Sequence, residues 1–157
     1  MLHLNDHHRH TIEGLLPTAT LAFLSDHGVP EILEFRGIDH VFSLGMEPLL
    51  GGRVLRVGSV DDGWSSMGVE RTTGHFGYIL AESEQPPWCF VNSSLACFLA
   101  CFEAAERLLA RERAEQIAWD DRGPWLEREI RRIDPVVFDD ENNIWSFLVE
   151  ELKNGVV

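Results

Sequence analysis

Residues 88–116 read WCFVNSSLACFLACFEAAERLLARERAEQ, and a change of rhythm inside this stretch decides the fold class. Trp88–Val91 reads as a strand. Asn92, Ser93 and Ser94 follow as candidate helix N-caps, because their side-chain oxygens accept from the free amides of a first turn. Beyond them Leu95, Phe98, Leu99, Phe102 and Leu109 recur at helical spacing. Glu103, Glu106, Arg107, Arg111 and Arg113 fill other positions. The pattern predicts a long amphipathic helix running to about Gln116.

Working back from Trp88, the chain is a series of short strand-like runs. Glu31–Phe35, His40–Leu44, Arg53–Val57, Met67–Arg71 and His75–Leu80 are separated by turn chemistry. Pro48 and the paired glycines make Gly45–Gly52 a loop, Asp61-Asp62-Gly63 and Thr72-Thr73-Gly74 read as turns, and Pro86-Pro87 closes the stretch. Tight turns between successive strands imply antiparallel pairing. A short helix precedes them over Thr18–His27, with Leu21 and Leu24 inward and Gly28 and Pro30 ending it.

Working forward, Gly123-Pro124 starts a helix carrying Leu126, Ile130 and Ile133, and Pro135 ends it. A last helix spans Glu141–Leu152 with Ile144, Trp145, Leu148 and Leu152 apolar. Strands followed by helices argue for an α+β fold: a twisted antiparallel sheet of five or six strands with flanking helices. Phe98, Leu99, Phe102, Trp145 and Leu148 are the expected core. A division near Asn92 is open, but neither half would bury its apolar faces well alone. The reading is therefore a loose segment 1–13 and one domain over 14–157.

The 157 residues carry 13 Lys+Arg against 26 Asp+Glu, a net charge of −13. Such a charge repels phosphate backbones and anionic lipid, which argues against direct nucleic-acid or membrane binding. It favours a basic protein partner, although an acidic surface also simply keeps a protein in solution. The three cysteines form no even framework, which suits a reducing compartment. With no signal-peptide pattern and no apolar run near the ~18 residues of a membrane span, the expected location is cytoplasmic.

Candidate chemistry is sparse. His3, Asp6, His7, His8 and His10 resemble a metal cluster, but an irregular terminus presents no geometry in advance. Cys97 and Cys101 share a helix face without a second ligand pair, which suits buried core thiols. Asp61, Asp62 and Glu70 are carboxylates available for metal or acid–base work, yet turn chemistry and a solvated face explain them as well. His75 lies on a strand, where a lone histidine is usually structural. No nucleophile elbow, zinc-protease or phosphate-loop motif occurs, and Gly51–Gly58 lacks dinucleotide-binding spacing. No catalytic residue, metal or cofactor is expected.

Leu55–Gly63 (LRVGSVDDG), then Thr73-Gly74 between two strands, resembles the centre of the SUKH superfamily. Phe90–Leu95 (FVNSSL) opening an aromatic-rich helix, with Ile130–Pro135 (IRRIDP) and Trp145 later, is similar to its fourth subfamily. The resemblance spans 14–152. It implies an α+β fold and a role as an immunity protein of bacterial polymorphic toxin systems, binding a toxin domain that is commonly a nuclease or nucleic-acid deaminase. The alternatives are a non-catalytic intracellular scaffold of the same fold and, from another class, a hydrolase using Asp61, Asp62 or Glu70. A toxin partner, expected to be basic, directs attention to Asp61, Asp62, Glu70, Glu82 and Glu84 at turns and strand ends. Trp64 and Trp88 are candidate aromatic anchors, with core packing the competing role. The oligomeric state is not legible.

Overall fold

The computed structural model describes residues 1–4, 12, 14–35, 37–60, 65–80 and 88–156. The fold is α+β, and it divides into two compact units: residues 1–90 with 94–96, and 91–93 with 97–157.

The first unit is built on a seven-stranded sheet. Its strands are β1 (Ile32–Phe35), β2 (Ile38–Phe42), β3 (Pro48–Leu49), β4 (Val54–Val60), β5 (Ser65–Glu70), β6 (Phe76–Leu80) and β7 (Trp88–Asn92). They lie in the order β1-β2-β4-β5-β6-β7, and β3 pairs with β4. Every register described is antiparallel. Helix α1 (Thr18–Asp26) precedes the sheet and buries Thr20 and Leu24, while Leu21 is half-buried. Gly28 ends this segment at φ 70°, in the left-handed region that glycine tolerates. A Cβ there would strike the Leu2 carbonyl oxygen and the His3 ring. That gap lets Leu2 exchange two backbone hydrogen bonds with Val29.

Two local readings differ from the sequence expectation. The second strand starts at Ile38, not His40, because Phe35 pairs directly with Ile38 across a two-residue connection in which Gly37 has φ 80°. Gly45–Gly52 is not all loop: Met46 turns the chain at φ 49°, and Pro48-Leu49 then pairs with Leu55 and Val54 before a 3-10 turn over Leu50–Gly52. The proline is tolerated because this two-residue strand has no described neighbour other than β4, so its missing N–H breaks no ladder on an outer side. This adds a seventh strand to the expected five or six. β2 and β3 thus share one edge of β4, while β5 runs along the other.

The sheet is amphipathic. His40, Phe42, Val60, Leu55, Met67, Val69 and Phe76 share one face by register and are all buried. On that face the His40 ring nitrogen Nε2 lies 3.0 Å from the Tyr78 hydroxyl. On the other face Gly68 and Gly77 are cross-strand partners, and the Trp88 indole lies against both. A Cβ on Gly77 would meet the Trp88 ring at 2.8 Å and also overlap the Cys89 carbonyl oxygen, so the bare backbone seats the aromatic.

The second unit is helical. It contains most of α2 (Leu95–Arg113), then α3 (Arg122–Ile133) and α4 (Ile144–Lys153). Short 3-10 turns at Trp119–Asp121 and Pro135–Asp139 connect them. α2 buries Phe98, Cys101, Phe102, Ala105 and Leu108, a stripe of helical period. Leu99, expected in the core, is only half-buried, because it lies one position off that stripe. α2 ends at Arg113 without a glycine: Glu115 itself takes φ 54°, and the Gln116 amide donates to the Arg111 carbonyl. Gly123 lets α3 approach α4 closely, since a Cβ there would meet Lys153 Cγ at 2.6 Å. α4 starts at Ile144 rather than Glu141, because the Asn143 side chain caps it by accepting from the Trp145 amide. Trp145 and Leu148 are buried as expected, whereas Ile144 is exposed.

A buried polar knot joins three segments of this unit. The Asp134 carboxylate accepts from the Ser93 amide (2.7 Å), the Ser93 hydroxyl (2.6 Å) and Asn92 Nδ2 (3.0 Å). Asn92 Oδ1 accepts from the Trp145 indole at 2.8 Å, and Asn143 Nδ2 donates to the Val91 carbonyl. Burial of these groups is tolerable because each has its partner.

Candidate partner-binding surface

Of the seven residues singled out from sequence, Asp61, Asp62, Trp64, Glu82 and Glu84 lie outside the described residues. So do Asp6, His7, His8 and His10 of the N-terminal cluster. The register nonetheless locates the anchors of two segments. Val60, Ser65 and Leu80, which flank 61–64 and open 81–87, sit at one end of the sheet beside His40.

Glu70 sits at the opposite end, opposite Val54. Its carboxylate is 3.2 Å from the Arg53 guanidinium and accepts from the Thr73 hydroxyl at 2.5 Å. Its backbone bonds to His75 and Gly74 close the 71–73 turn. The structure therefore commits the Glu70 side chain to a turn. Neighbouring Arg71 ties the same turn to the Leu15 and Gly52 carbonyls. Trp88 is half-buried and packs on its glycine floor.

The remaining reactive groups also have structural surroundings. His75 packs edge-on against Phe90 at 5.2 Å between ring centroids. Burial pushes the Tyr78 phenol well above its ordinary value, and the nearby Cys89 adds to it. Burial likewise raises the Cys101 thiol to about 12, against a lowering by the Asn92 side chain that donates to its sulfur. A thiol held this high is protonated and unreactive at neutral pH. Among the described residues no three potential metal ligands converge, and no helix is long and apolar enough to cross a membrane.

The raised thiol has a consequence for stability. The unfolded thiol ionises near its ordinary value of 9, the folded one only near 12, so the folded state holds the proton longer. Stability is then fully present below pH 9 and declines as pH rises toward 12. Relative to Cys101→Ala, the wild type should lose about 4 kcal/mol more over that window. Urea midpoints of both proteins from pH 9 to pH 12 check this, and parallel curves would refute it.

In the helical unit a cleft between α3, the Pro135–Asp139 turn and α4 is lined by Glu127, Asp139, Asp140, Glu141 and Glu150 together with Arg131 and Lys153. Glu127 pairs with Lys153 (2.9 Å) and Arg131 (2.7 Å), which hold its carboxyl below the usual range. Lys153 is raised in turn by Glu150 and Glu127. α4 also exposes Ile144 and Phe147.

Sequence reasoning passed over the open face of the sheet. It carries exposed Ile32 and Val41 together with Glu34 and Asp39.

The sequence model of the SUKH-4 immunity protein family matches residues 9–151 of this chain. No curated protein and no solved structure gives a match.

Proposed function

The chain belongs to the SUKH-4 immunity protein family, and from that premise we propose that it binds a cognate toxin domain of a bacterial polymorphic toxin system and neutralises it by occlusion, without catalysis. The match over 9–151 is the observation that carries this reading. The toxin class it suits best is a nuclease or nucleic-acid deaminase acting in the cytoplasm. Such enzymes hold cationic clefts for phosphates, and a chain of net charge −13 offers the complementary field. Asp61, Asp62, Glu82 and Glu84 are the proposed steering charges, with Trp64 and Trp88 as aromatic contacts; Glu70, held by Arg53, contributes little.

The test uses the toxin domain encoded beside this chain's gene. Co-expression should restore growth, and purified partners should form a 1:1 complex. Association measured by stopped flow should slow about tenfold or more from low to physiological salt, with dissociation changing less. Charge reversal at Asp61 and Asp62 should slow association without lowering the melting temperature. A rate indifferent to salt and to charge reversal removes the electrostatic part. Absence of binding removes the immunity reading.

A further inference from the structure

The antiparallel register lines up five side chains straight across the sheet. Ile32 pairs with Val41, Val41 with Ser59, Ser59 with Ser66, and Ser66 with Ile79. Directly paired residues project from the same face, so the row crosses β1, β2, β4, β5 and β6, about 19 Å at the usual strand spacing. This is the face opposite the buried Phe42, Met67 and Phe76; Trp88 covers its neighbouring Gly68–Gly77 part, and the row runs beside that ring to the exposed β1–β2 end. Ile32 is 56% exposed and Val41 38%, whereas Ser59, Ser66 and Ile79 are half-buried. Aliphatic side chains thus flank a centre of two small serines, and the surface is a shallow trough.

Charge on this face is one-sided. Glu34 and Asp39 form the next cross-strand pair beside Ile32 and Val41, and like charges directly opposite are unfavourable. Among the described residues neither carboxylate has a cationic partner. Arg56, the described basic residue on the same face, is occupied by Glu47 at 3.5 Å and by the Gly58 carbonyl. Two carboxylates with no cationic partner among the described residues therefore stand beside an exposed aliphatic pair.

We infer that this open sheet face is the docking surface for the toxin domain, which seats a convex apolar ridge in the Ile32–Val41–Ser59–Ser66–Ile79 trough and places a lysine or arginine on the Glu34–Asp39 pair. The inference rests on the immunity reading and adds to it the surface used and the chemistry of the partner. A cation at the carboxylate pair is attracted by two like charges set directly opposite each other. Covering Ile32 and Val41 removes apolar area from water, and such contacts at the centre of an interface dominate affinity.

The probe is again the toxin domain encoded beside the gene, in calorimetric titration. Two double variants address the face: Ile32→Ser with Val41→Ser, and Glu34→Lys with Asp39→Lys. Phe147→Ser, on the exposed side of α4, is the control. Each face variant should weaken binding by about 30-fold or more, the scale of an interface hot spot, and the control should stay within about threefold. Backbone amides of 32–41 should exchange more slowly in the wild-type complex, a readout independent of any variant's folding. If the wild type binds and the face variants bind equally, this surface is wrong while the immunity reading stands. If the wild type fails to bind, both fall. A free chain that dimerises through this face, and becomes monomeric on Ile32→Ser with Val41→Ser, also overturns it, since the occupant is then a second copy.

Discussion

Asp134→Ala should lower the stability of the helical unit by about 3–5 kcal/mol, although the change removes only a small polar group. Its two oxygens satisfy the Ser93 amide, the Ser93 hydroxyl and Asn92 Nδ2, and the residue is 3% exposed. Hydrogen bonds to a carboxylate contribute about 1.5–3 kcal/mol each, and the larger penalty comes from donors left buried without an acceptor. The effect should spread, because Asn92 also accepts from the Trp145 indole and loses its orientation when Asp134 goes. Ser93→Ala, which removes one donor and leaves the carboxylate its other two, should cost clearly less. Urea unfolding followed by far-ultraviolet circular dichroism measures both. A loss below about 1 kcal/mol for Asp134→Ala would show that the knot does not hold the unit together.

Phe102→Ala is the second large effect, about 3–5 kcal/mol, the range for truncating a buried phenylalanine. The ring is 2% exposed and packs against Phe98 at 5.9 Å, which in turn meets Trp145 at 6.2 Å. The cavity would open where α2 and α4 meet, in a region already filled by large rings that cannot collapse easily. Leu99→Ala supplies the contrast: on the half-buried flank of the same helix it should cost about 1 kcal/mol or less. Equal losses at the two positions would mean that the buried stripe is misplaced.

How far each element was legible follows from the kind of signal it leaves. The 3.6-residue rhythm after Asn92 marks α2 plainly, since Leu95, Phe98 and Phe102 are buried as the spacing predicts, although Leu108 and not the expected Leu109 continues the stripe. Its end was blurred because Glu115 does the work usually left to a glycine. Strand existence was legible, but strand orientation was not. Ile32 and Leu33 put an aliphatic side chain on each face of β1. In β2 the expected pattern is inverted: His40 is buried and Val41 exposed. Only cross-strand register resolves this, because Val41 is tied to Ile32 and Ser59. The open face was invisible for that reason. Glu70 misled in the same way, since the Arg53 that neutralises it is distant in sequence and is brought near by the Val54–Glu70 register. The Ile-Asp-Pro signature was legible as a resemblance, but its physical role as an acceptor for Asn92 and Ser93 appears only in three dimensions.

The knot around Asn92 also imposes an order of events on the growing chain. Its bonds join residues 42 and 53 positions apart, Asn92 to Asp134 and Asn92 to Trp145. The hairpins of the sheet, by contrast, pair neighbours within a few residues, as at Phe35 and Ile38. During synthesis the sheet strands β1 to β6 can pair as they leave the ribosome, while Asn92 must wait for Asp134 and completes its bonds only when α4 has emerged. In that interval Asn92, Ser93 and the aromatic face of α2 are solvent-exposed. A nascent chain stalled before Trp145 therefore presents an unfinished helical unit to chaperones and proteases after the sheet strands have paired.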